Sequence, residues 1–157
     1  RLTGNLIEVM VLKSGERSSG SALAGNSFNY HGIKSGMSAE EVNAIVGCKE
    51  RCNALDYTEV EAFFGKGNTP PALWQIGFKY TSDDKLWRIQ LNFLKRSGAG
   101  GVAQVRALTE LYPDAALDEF TERGSYSTTE YLVALIIDSG LFDADAEKIY
   151  QETISKY

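Results

Sequence analysis

The chain has 157 residues, of which 43% are apolar and 24% charged, a length and balance that suit one folded domain with its own core and exclude wholesale disorder. Its formal net charge of −5 is uneven: residues 1–95 hold 11 basic and 10 acidic side chains (+1), while residues 96–157 hold 5 and 11 (−6). The longest basic element is the pair Lys95–Arg96, too small a footprint for a nucleic-acid binder, and no apolar run approaches the roughly 18 residues of a membrane-spanning helix.

Along the chain, the apolar run Leu6–Leu12 predicts a strand, and Ser14–Asn26, rich in Ser and Gly, predicts a flexible loop. Ser38 is placed to cap a helix, with Glu41 three residues on to close a capping box, Val42, Ile45 and Val46 as the apolar stripe, and Gly47 as the stop. Asp56–Phe64 fits either strand or helix. Leu73–Tyr80 and Leu86–Leu94 alternate apolar and polar residues on either side of the turn Thr81–Lys85, which predicts an antiparallel hairpin with one strongly aromatic face. Ser97–Gly101 reads as a glycine-rich linker. Beyond it the pattern turns helical: Val102, Val105, Leu108 and Leu111 share a helical face, Ser127 and Glu130 have capping-box spacing, and Asp143 is placed to start a helix carrying Ala146, Ile149, Tyr150 and Ile154. The run Tyr131–Ile137 fits a buried strand as well, although the flanking caps favour a helix. The expected fold class is therefore α+β. It divides into an N-terminal strand and loop (1–27), a short helix packed on an antiparallel meander (28–96), a linker (97–101) and an acidic, mainly helical C-terminal part (102–157).

Cys48 and Cys52 are separated by Lys-Glu-Arg, and His31 is the sole histidine. Three such ligands make a poor zinc site, and redox pairs of the thioredoxin type use a two-residue gap. A structural disulfide is the leading reading and two free thiols the second; the disulfide implies an oxidising compartment. Adjacent carboxylates (Glu40–Glu41, Asp83–Asp84) point apart and suit helix starts and turns better than shared acid–base work. No nucleophile elbow, phosphate loop or calcium loop is present. Neither an enzyme nor a cofactor is expected.

The segment Ile33-Lys34-Ser35-Gly36-Met37-Ser38-Ala39-Glu40-Glu41-Val42-Asn43-Ala44-Ile45-Val46-Gly47 resembles the helix start of the SmpA/OmlA-type outer-membrane assembly lipoproteins, a signature shared by the β-lactamase inhibitor protein domain. The resemblance covers residues 28–95 or so. It implies a helical segment packed on an antiparallel meander, acting as a non-enzymatic protein-binding module of the bacterial envelope or periplasm. The alternative it implies is an inhibitor or immunity-type protein that blocks a secreted hydrolase. The expected partner is another protein, met by Trp74, Phe78, Tyr80 and Trp87 on the aromatic hairpin. Against this stands the reading that the same aromatics pack beneath the helix as core.

Overall fold

The computed structural model describes residues 27–156. The strand and loop expected over residues 6–26 lie outside them.

The described chain opens with β1 (Asn29–Tyr30) and β2 (Ile33–Lys34), a minimal hairpin. Its two central residues, His31 and Gly32, have φ of 53° and 92°, the doubly positive pattern that matches strand twist in two-residue turns. The next turn docks on the sheet, where Gly36 donates to the Leu86 carbonyl at 2.8 Å and Leu86 to the Met37 carbonyl at 2.7 Å. Helix α1 (Ala39–Val46) then starts at the expected capping box. Ser38 Oγ accepts the Glu41 amide at 3.1 Å, Glu41 Oε1 accepts the Ser38 amide at 3.0 Å, and Gly47 closes the helix in the left-handed region.

Asp56–Phe64 resolves as a helix. After β3 (Ala54–Leu55), Asp56 and Glu59 form a second capping box at the start of α2 (Tyr57–Phe64). The hairpin of β4 (Leu73–Tyr80) and β5 (Leu86–Leu94) is antiparallel, with irregularities between Leu73 and Gln75 and between Lys79 and Tyr80. Residues 98–101 are not an extended linker: they form the first turn of α3 (Gly98–Leu111), held to the sheet by Gln104, which accepts the Arg96 amide at 2.9 Å and donates to the Leu94 carbonyl at 2.8 Å.

The expectation of a mainly helical C-terminal part is overturned. Residues beyond α3 form a second long hairpin, β6 (Ala116–Arg123) and β7 (Thr128–Ile137), before one final helix, α4 (Ser139–Ile154). Strand β7 inserts between β5 and β6, so the antiparallel sheet runs β3-β4-β5-β7-β6. Ser127 is not a helix cap but a turn residue, whose carbonyl accepts the Gly124 amide at 2.8 Å. Tyr131–Ile137 lacks strand alternation because β7 is buried on both faces: Leu132 and Ala134 face one cluster, Tyr131, Val133 and Leu135 the other. The cap of α4 is Asp138 rather than Asp143, and the apolar stripe of the helix is exposed at Ile149, Tyr150 and Ile154.

The main core lies on one sheet face, where Val42 of α1, Val60 of α2 and Leu108 of α3 pack on Ile76, Ile89, Leu91, Phe93, Leu117 and Leu132. This core runs across residues 97–101 without a break and draws on both sides of them. No helix among the described residues is long and apolar enough to cross a membrane.

Candidate functional site: the concave face of the sheet

The sheet face turned away from the three helices curls into a hollow of about 680 Å³, lined from one edge by Ala54 of β3 and from the other by Phe120 and Glu122 of β6. Its floor follows from strand alternation. If Ile76 and Phe78 face the core, then Gln75, Gly77 and Lys79 face the hollow, and their cross-strand partners are Asn92, Gln90 and Arg88. These side chains form a ladder. Arg88 Nη2 approaches Gln90 Oε1 at 3.4 Å, Gln90 Nε2 donates to Asn92 Oδ1 at 2.9 Å, and Asn92 Nδ2 donates to Gln75 Oε1 at 3.0 Å. Asn92 is thus buried yet engaged through both amide atoms, as a buried amide must be to avoid a desolvation penalty.

Stacked aromatic pairs stand at the margins. Tyr57 of α2 stacks on Trp74 with centroids 4.3 Å apart, and Phe120 of β6 stacks on Tyr131 at 5.9 Å. Phe120 is 43% exposed and Tyr57 37%. Tyr131 donates to Glu122 Oε1 at 3.3 Å, and its hydroxyl pKa is raised, first by burial and then by the Glu122 charge.

Of the four aromatics expected to form one binding face, Phe78 and Tyr80 are among the residues lining the hollow and Trp74 and Trp87 are not. Phe78 is core, 4% exposed. Tyr80 also lies on the core side, opposite Leu86, with the Arg51 guanidinium 4.9 Å from its ring centroid. Its buried hydroxyl lacks a hydrogen-bond partner, and burial pushes its pKa up to about 12. Trp74, at the irregularity after Leu73, joins the concave-side cluster with Leu94 and Tyr131. Trp87 packs on Phe142 of α4 at 4.6 Å, and its carbonyl accepts the Asp138 amide at 2.8 Å. The amide ladder and Phe120 were missed. The ladder's signal was present in the polar parity of the two strands, which reads as an ordinary solvated face. Phe120 carries no signal in a segment whose sequence pattern is helical.

Cys48 and Cys52 are joined in a disulfide that closes the loop after α1. The same loop carries Arg51, which reaches Asp84 at 3.6 Å. His31 is not among the residues lining the hollow. Among the described residues, no group of three or more His, Cys, Asp or Glu side chains is placed to hold a metal ion. Comparison with protein-family models, with curated proteins and with solved structures finds no match to this chain.

Proposed function

We propose that this chain is a non-enzymatic protein-binding or assembly module of the bacterial cell envelope, and that it receives its partner on the concave face of the sheet. The observation that carries the reading is the hollow itself: a strand floor of hydrogen-bonded amides with exposed Phe120, stacked on buried Tyr131, at its rim. Interfaces favour aromatic anchors with polar groups held in place beforehand, because less side-chain entropy is lost on binding. The envelope part of the reading draws support from the Cys48–Cys52 disulfide, which belongs to oxidising compartments, and from the likeness of Gly36–Gly47 to the assembly lipoproteins.

A second reading, a periplasmic or secreted inhibitor that blocks a hydrolase, is favoured by one observation. The concave face sets exposed Phe120 at the rim of a hollow whose floor is polar, the combination expected of a protein that takes in a protruding loop of its partner. Photo-cross-linking separates the possibilities. A photoreactive residue at Gln90, on the floor, should capture a discrete partner in the native source, whereas one at exposed Val102 on α3 should not. Capture of a hydrolase with loss of its activity selects the inhibitor. Capture at Val102 alone rules out the concave face.

A further inference from the structure

Three cations line the hollow: Arg51, which pairs with Asp84, and Lys79 and Arg88, which are unusually placed. Lys79 and Arg88 are direct cross-strand partners, and like charges in that position repel. Among the described residues neither forms an ion pair, the pairs present being Arg51–Asp84, Lys85–Asp83 and Lys95–Glu119. Arg88 is half-buried: its guanidinium carbon lies 5.5 Å from the Trp87 ring centroid, its Nη2 makes a long contact to Gln90, and its Nε is buried without a hydrogen-bond partner. Burial accordingly lowers the Arg88 pKa.

The carboxylates that line the same hollow are already engaged. Asp56 and Glu59 cap α2, each accepting the other's backbone amide at 3.1 Å, and Glu122 accepts the Tyr131 hydroxyl. These carboxylates stand at α2 and on β6, at the edges, so the only charged side chains of the two floor strands β4 and β5 are the cations Lys79 and Arg88, although the chain as a whole is acidic. Buried polar groups are rarely left unpaired, and a guanidinium matches a carboxylate in geometry as well as charge.

Resting on the concave-face reading, we propose that Lys79 and Arg88 form an anchor for a carboxylate, an Asp or Glu side chain on a protruding loop of the partner protein. The loop's acid reaches the floor between the two strands, pairs with Lys79 and the Arg88 guanidinium, and relieves the Lys79–Arg88 repulsion. A protein loop is favoured over a free anion by the size of the hollow and by its amide ladder, which offers donors and acceptors beside the cations.

The test is a titration of the full chain, followed by ¹H–¹⁵N correlation spectra, with a cyclic peptide presenting two glutamates. The controls are its glutamine twin and inorganic phosphate. The expected result is a saturable shift of the Arg88 Nε–Hε signal and of the Gly77 and Gln90 amides with the glutamate peptide. The affinity should fall at least tenfold in Lys79→Gln, an exposed position whose change leaves the fold intact, and again at raised salt. Three results would overturn the proposal: no saturable shift, equal binding of the glutamine peptide, or phosphate binding as tightly as the glutamate peptide. The two readings fail separately. A partner captured at Gln90 that binds Lys79→Gln and Arg88→Gln as tightly as the parent leaves the concave face standing and removes the anchor. A glutamate peptide that binds while no partner is captured at Gln90 keeps the anchor and removes the protein-binding face.

Discussion

Asp84, in the β4–β5 turn, accepts the backbone amide of Ala39 at 3.2 Å, so an acid remote in sequence completes the N-terminus of α1. The same carboxylate pairs with Arg51, and Asp84 holds φ at 62°, a conformation that Asn tolerates better than Ala. Asp84→Ala should cost about 1–2 kcal/mol through the lost amide bond and the backbone strain. Asp84→Asn should cost less than half of that. Urea denaturation of the two variants measures the difference, and equal losses would assign the effect to charge alone.

Gly100 and Gly101 are neighbours in the first turn of α3 but differ in their surroundings. A Cβ at Gly100 meets the Arg96 Cβ at 3.7 Å, ordinary contact, whereas one at Gly101 collides with the Arg96 carbonyl oxygen. Gly100→Ala should stabilise the protein by about 0.5–1 kcal/mol, the gain in helix propensity. Gly101→Ala should destabilise it despite the same gain. Thermal midpoints of the two variants check the opposite signs.

Phe78 and Trp87 separate core from periphery. Phe78→Ala should cost about 3–5 kcal/mol, the range for a buried aromatic. Trp87→Ala should cost distinctly less and should act mainly on α4, which packs on Trp87 through Phe142 and holds Ser82 through Asp145. Amide hydrogen exchange would show faster exchange in residues 139–154 for Trp87→Ala with β4 and β5 unchanged.

Tyr80 makes stability depend on alkaline pH. Its folded-state pKa, about 12, lies above the unfolded value of about 10. Above pH 10 the unfolded chain therefore releases this proton while the folded chain keeps it, and stability falls as pH rises from about 10 to about 12. Tyr80→Phe should flatten that part of the stability–pH curve, and at neutral pH it should cost little, because the buried hydroxyl has no partner to lose. Urea midpoints between pH 8 and pH 12 provide the measurement.

Local chemistry made α1 legible in the sequence: its cap, stripe and stop lie within ten residues and need no tertiary partner. The β4–β5 hairpin was legible because one face is core and the other polar, so alternation survives. Strand β7 was not, because burial on both faces erased its alternation, and Ser127 with Glu130 imitated a helix start at a hairpin turn. In α4 the stripe of Ile149, Tyr150 and Ile154 has helical spacing but stays exposed; periodicity reports a helix and not what covers it. The aromatics of the hairpin have the composition of a binding face, yet the irregularity at Trp74 and the burial of Phe78 divide them. The polar parity beside them, Gln75, Lys79, Arg88, Gln90 and Asn92, forms the floor of the hollow. That floor depends on β6 curling over from the far edge, which no local pattern encodes.

Gly77 offers the most direct test of the concave face. It lines the hollow, and a Cβ there meets only Gln90 Cβ at 3.7 Å and the Asn53 carbonyl oxygen at 3.9 Å, so a side chain can be added without disturbing the helical layer. The decisive quantity is the Kd of the partner captured at Gln90 for Gly77→Met, measured beside a Val102→Ser control on α3. Occupation of the hollow predicts a loss of at least a hundredfold, about 2.7 kcal/mol, for Gly77→Met and none for the control; equal affinity of Gly77→Met and the parent would contradict it.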